Sequence, residues 1–148
     1  MVQLKVDAVA VDWKGNPVVI LREENGRRKV HIWIGISEAT AISMQLEGQQ
    51  PPRPLTHDLM ASIIGETGAK IGRIVITDMQ GTTYYAQLHM QVGSKGKTID
   101  CRPSDAIALA LRADAPIEIE DELLERLDDI RRETSESTIV DSGETTVH

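Results

Sequence analysis

The chain has 148 residues, of which 41% are hydrophobic and 3% aromatic, with one cysteine and a net charge of −7. That length builds one full core and not two; the lone Cys101 excludes an intrachain disulfide or a cysteine-rich zinc site, and no apolar run reaches the roughly 20 residues of a membrane span. Nine acids and three bases fall between Asp121 and the end, so the first 120 residues, with 14 acids and 13 bases, are nearly neutral and lack the basic footprint of a dedicated DNA-binding domain.

In chain order, Val2 to Asp12 alternates like a strand, and its acids where a secretory signal needs a basic start predict a cytoplasmic protein. Lys14-Gly15-Asn16 reads as a turn, Pro17 to Leu21 as a second strand, Glu23 to Arg28 as a charged hairpin loop, and Lys29 to Ile34 as a third strand broken at Gly35. From Ser37, the spacing of Ala39, Ile42 and Leu46 predicts a helix closed by Gly48. The proline-dense stretch 49–54 reads as an extended connector. Thr56 then caps a helix with Asp58 in its first turn and Leu59, Met60, Ile63 and Ile64 as its buried face.

Strands follow over 70–78, 83–91 and 97–101, the glycine-rich piece 93–96 being a hairpin loop. The segment Ile99 to Arg112 runs from a strand end through Arg102 and Pro103 into the apolar run Ala106 to Leu111, which predicts a helix buried on all sides. A strand at 116–120 and a charged helix from about Asp121 to Arg132 complete a domain over 1–132; residues 133–148 have no apolar period and read as a disordered acidic tail.

The order contains an internal echo. Residues 9–21 resemble 75–88, and Ser37, Glu38, Ala39 and Ala41 are matched 67 residues on by Ser104, Asp105, Ala106 and Ala108. Duplicated β-β-β-α units follow, an α+β single domain with helices packed on paired, mainly antiparallel sheets. Glu38 and Asp105, shared by both copies, read first as acids near a helix N-terminus. Asp100 and Arg102, standing where the first copy has Trp33 and Gly35, need their own reason.

That asymmetry nominates Asp100, Arg102 and Asp105, with Arg53, His57 and Asp58 from the connector. Carboxylates that hold a divalent cation, arginines that grip phosphate oxygens and an imidazole that moves a proton are what phosphodiester cleavage requires. Asp58, Asp100 and Asp105 are the candidate ligands for Mg or Mn, Arg53 and Arg102 the phosphate clamps, and His57, Asp100 and Asp105 the catalytic set; Asp100→Asn and a chelator should each abolish cleavage. The competing reading pairs Arg102 with Asp100 or Asp58 and packs His57 in the helix's first turn. No Walker loop, His-Glu-x-x-His or nucleophile elbow occurs. Trp33, Tyr84 and Tyr85 lie inside strand patterns, which favours packing over base stacking.

The stretches HIWIGISEATAI (31–42), PPRPLTHDL (51–59), GTTYYAQL (81–88) and IDCRPSDAIALALRADAPI (99–117) together resemble the bifunctional nuclease domain over residues 2–120. The resemblance implies an α+β nuclease that acts on DNA and RNA and self-associates as a homo-oligomer. It places Glu38, Arg53, His57, Asp58, Asp100, Arg102, Ser104 and Asp105 on motif positions, with Ser104 joining the substrate-binding candidates and Glu38 a structural or secondary one. Tyr84 stands where Phe is usual and Cys101 where Ala is common. The rivals are a non-catalytic regulatory or nucleic-acid-binding module and a domain that holds a small anion.

Overall fold

The alternation of the first segment is realised as strand β1 (Val2–Val11), which turns through Asp12 into β2 (Pro17–Glu23). Asp12 Oδ1 accepts the backbone N–H groups of Lys14 and Asn16 at 2.9 Å each, and Gly15 takes the left-handed backbone (φ +82°) the turn requires. β3 (Lys29–Trp33), α1 (Ile36–Leu46), α2 (Thr56–Glu66), β4 (Lys70–Gln80), β5 (Thr83–Val92), β6 (Lys95–Cys101), α3 (Pro103–Ala113), β7 (Ile117–Ile119) and α4 (Asp121–Thr146) follow. The structure, a computed structural model, describes residues 1–146, with side chains through Ser135.

The strands form one seven-stranded sheet in the order β3-β2-β1-β7-β4-β5-β6, not the paired sheets expected. The short Ile-Glu-Ile strand is the reason. β7 runs antiparallel to β1 and parallel to β4, so it joins the two halves into a continuous, mainly antiparallel α+β sheet. No helix of the described residues is long and apolar enough to cross a membrane.

The helix predicted to be buried on all sides is α3. Pro103 occupies its first turn, where a missing N–H costs nothing. Ala106 to Ala110 are all buried, α3 lies between α1 and α2 and rests on β4 and β5, and Asp114 ends it in the left-handed conformation. In α1, Ala39, Ala41 and Ile42 face the core while Leu46 is exposed.

Two expectations are corrected. In α2, Leu59, Met60 and Ile63 are exposed, while Ile64 of the expected face, with Ala61, packs against the core beside buried His57. The His57–Asp105 hydrogen bond and the Asp58–Arg112 ion pair rotate the helix toward α3. In α4, helical backbone continues to Thr146 instead of ending near Arg132. No proline interrupts it, Arg132 pairs with Asp128 one turn back at 3.0 Å, and the Thr134 hydroxyl donates to the Ile130 carbonyl. Val147 and His148, the end of the expected disordered tail, lie outside the described residues.

Candidate functional site

α1 and α3 start side by side, and each carries an acid at its third residue, Glu38 and Asp105. A carboxylate there faces the unpaired N–H groups and the positive end of the helix dipole. Between them lies Arg102, held extended (φ −74°, ψ 142°) by the proline that follows it. Its Nε donates to Asp105 Oδ2 at 2.9 Å and its Nη2 to Glu38 Oε1 at 2.7 Å. One guanidinium thus ties together helices that start 67 residues apart in the chain.

Gly35 makes the bridge possible. The Glu38 carboxylate folds back over Gly35, and a Cβ there would collide with it and push it away from Arg102. Behind the bridge, His57 Nε2 donates to the other oxygen of Asp105 at 2.8 Å. A carboxylate only accepts, so the proton of this contact sits on Nε2. His57 is 5% exposed, whereas the Arg102 side chain is 66% exposed and reaches solvent.

Charge follows geometry. Burial acts most strongly on Asp105 and pushes its carboxyl up, but hydrogen bonds from His57 and Arg102 outweigh it, and the net position is below the usual carboxylate range. Arg102 is raised, first by its bond to Asp105 and then by its bond to Glu38. Burial, followed by the negative charges of Asp100 and Asp105, pushes the Cys101 thiol up to about 11, so half-buried Cys101 is no nucleophile.

The first turn of α2, just after the connector, meets the start of α3 through His57. Asp58 does not join the site. Its Oδ2 accepts the Leu55 N–H at 2.8 Å, its Oδ1 accepts Arg112 Nε at 2.7 Å, and these contacts, the backbone one first, lower its pKa. Arg53 is exposed and has no polar partner among the described residues. Arg102 pairs with neither Asp100 nor Asp58, against the competing expectation.

Asp100 lies on the wrong side of the sheet. Cys101 and Ile99 stand opposite the buried Ala86 and Leu88, on the helix side; Asp100 stands opposite Gln87 and projects from the other face. The expected cation ligands therefore do not fit a divalent metal. Asp58, Asp100 and Asp105 fail to converge, and among the described residues no three His, Cys, Asp or Glu side chains form a metal-holding group.

Two residues that sequence reasoning undervalued border this region. Arg112, in the last turn of α3, is 7% exposed; besides Asp58 it donates to the carbonyls of Ala108 (2.9 Å) and Ala41 (3.1 Å). A cation ending an apolar helix was the available signal, since buried arginines are paired. Trp33 was expected to pack, yet its ring is 56% exposed; Tyr84 is part-buried with its hydroxyl donating to the His31 carbonyl, and Tyr85 is exposed. Trp33, Tyr84, Arg102 and Ser104 line one cleft of about 510 Å³.

The family model described as the bifunctional nuclease domain matches residues 19–130, from β2 into α4. An uncharacterized protein of Mycobacterium tuberculosis is 42% identical over 125 residues, covering 84% of this chain and 74% of its own length. Bifunctional nuclease 1 of Arabidopsis thaliana is 26% identical over 112 residues, 73% of this chain and 34% of that protein. Bifunctional nuclease 1 of Oryza sativa subsp. indica is 28% identical over 106 residues, 68% and 32% respectively.

Proposed function

Because the chain belongs to the bifunctional nuclease domain family, we propose that it hydrolyses phosphodiester bonds of DNA and RNA at the shared start of α1 and α3. One observation carries the reading. Arg102 is a solvent-reaching guanidinium tethered to two carboxylates, with a buried imidazole behind one of them.

A non-bridging phosphate oxygen competes with Glu38 and Asp105 for Arg102, and the planar guanidinium holds it in bidentate fashion. Asp105, released on one side and still held by His57 on the other, takes the proton of the attacking water; the P–O bond opposite breaks, and the leaving oxygen is protonated from solvent. Ser104 supplies a further hydrogen bond to the phosphate. His57 is thus a positioning residue, and Asp58 holds α2 in place through Arg112.

No step is routed through a cation, because the nominated ligands do not converge. Glu38 and Asp105 at one helical position, Arg102 between them, also support the two β-β-β-α runs as copies of one unit. A cytoplasmic location and self-association belong to the same reading; the exposed Leu59, Met60 and Ile63 of α2 offer an apolar face that a second copy would cover.

The test is cleavage of labelled single- and double-stranded DNA and RNA by purified wild type, Arg102→Ala and Asp105→Asn, each assayed with magnesium, with manganese and with chelator. Loss of cleavage in both variants at unchanged fold supports the reading. Equal cleavage by all three proteins overturns it, and salt-sensitive binding without turnover favours the non-catalytic module instead.

A further inference from the structure

We infer that the cleft between Trp33 and the start of α3 receives one unpaired nucleotide, its phosphate on Arg102 and Ser104 and its base stacked on the Trp33 indole. The choice of a nucleotide as ligand rests on the hydrolase reading above; the pocket itself rests on three observations of its own.

The first is a held aromatic plane. Trp33 leaves more than half its surface in solvent, and its Nε1 donates to Asp12 Oδ2 at 3.0 Å. Asp12 is fixed in turn by the backbone N–H groups of Lys14 and Asn16 and by the Asn16 side chain at 3.3 Å. An exposed indole anchored this way is organised before binding and loses little rotamer freedom on stacking.

The second is Ser104, 6% exposed, whose hydroxyl has no hydrogen-bond partner among the described residues while the residue lines the cleft. The hydroxyl is not among the buried unsatisfied atoms, so it is open to solvent at the cleft and can donate to a ligand there. The third is Arg102, on the same cleft wall, whose Nη1 makes no hydrogen bond among the described residues. Asn16 and Thr83 add polar groups to the lining of the same cleft.

Phosphate-binding groups and an aromatic face lining one cleft describe a nucleotide. Its base must be unpaired, since a duplex keeps its base faces stacked inside. At about 510 Å³ the space falls within the range of small-ligand sites. The substrate segment at this site is therefore single-stranded or frayed.

Fluorescence titration of a Trp13→Phe background isolates Trp33, because these are the two tryptophans of the chain. Adenosine monophosphate, which contains no cleavable diester, is the probe, and ribose 5-phosphate is the baseless control. The expected result is quenching by the nucleotide, with affinity about 5- to 100-fold above the control, as stacking on an aromatic gives. In isothermal titration calorimetry, which needs no indole, Trp33→Ala abolishes that preference and keeps ribose 5-phosphate binding, Trp33→Phe retains part of it, and Ser104→Ala weakens both ligands alike.

Equal affinity for the two ligands, or absence of quenching in the Trp13→Phe protein, overturns the inference. Because binding is read without turnover, the two claims fail separately. Base-dependent quenching with no cleavage of any oligonucleotide sinks the hydrolase reading alone, while cleavage with no base preference sinks the stacking site alone.

Discussion

Arg112→Met tests whether the inward polar side of α2 is held by α3. The wild-type guanidinium is nearly sealed and makes three bonds, to Asp58 and to the carbonyls of Ala41 and Ala108. Removing one partner of a buried pair costs about 3–5 kcal/mol. Asp58 is part-exposed and keeps its Leu55 N–H, and the substitution also removes the cost of burying Arg112, so the low end, about 3 kcal/mol, applies here. For a domain of this size that lowers Tm by about 6–12 °C. Urea unfolding of wild type, Arg112→Met, Asp58→Asn and the double variant measures it. The double variant should be more stable than the sum of the singles predicts by at least about 1 kcal/mol, because the same pair is lost only once. A loss under about 1 kcal/mol in Arg112→Met, or strict additivity, would refute the coupling of α2 to α3 through this pair.

Asp58 and Asp105 both have native pKa values below those of the unfolded chain. Their stabilisation is complete above the unfolded carboxylate value of about 3.9 and is lost as pH falls through the lower native values; acid unfolding followed by circular dichroism should show a shallower acid limb in Asp105→Asn. Asp100→Asn, exposed and on the face away from the site, should change stability by no more than about 0.5 kcal/mol and leave cleavage intact; loss of cleavage would place the reacting centre elsewhere. Gly35→Ala should displace Glu38 from Arg102 and lower cleavage with little change in Tm, read by parallel activity and melting measurements. Cys101, with its thiol pushed up to about 11, should react with Ellman's reagent only after unfolding.

What the sequence made legible were the features that depend on local periodicity. The strand alternation, the all-round apolar run of α3 and the acids at the third residue of α1 and α3 are each written in neighbouring residues, and each lies where expected. The facing of α2 was not legible from its own pattern. Leu59, Met60 and Ile63 repeat like a core stripe, but burying that stripe would turn His57 and Asp58 away from Asp105 and Arg112, leaving a nearly sealed Arg112 without its carboxylate. A short helix follows the stronger of its two faces, and here that face is mixed, His57 and Asp58 beside Ala61 and Ile64.

The same reasoning separates Asp100 from Asp105, five residues apart and equal in charge. Strand pleat sends Asp100 to the sheet face opposite Cys101, and the proline-directed entry into α3 brings Asp105 back to the helix side. Sequence proximity therefore overstated the acidic cluster and understated its cation. Glu38 contributes the second carboxylate from the other half of the chain, and Arg102 stands between the acids where a metal was expected. A guanidinium in that position can leave for a phosphate and later return, so the ion pairs that hold the unliganded site together are the ones substrate must exchange. That exchange makes Glu38→Gln a discriminating variant. With Arg102 freed from one tether, nucleotide affinity should rise two- to five-fold, about 0.4–1 kcal/mol, the order of an exposed ion pair. An unchanged or weaker affinity, read in the Trp33 titration, would mean that phosphate does not compete for the bridging arginine.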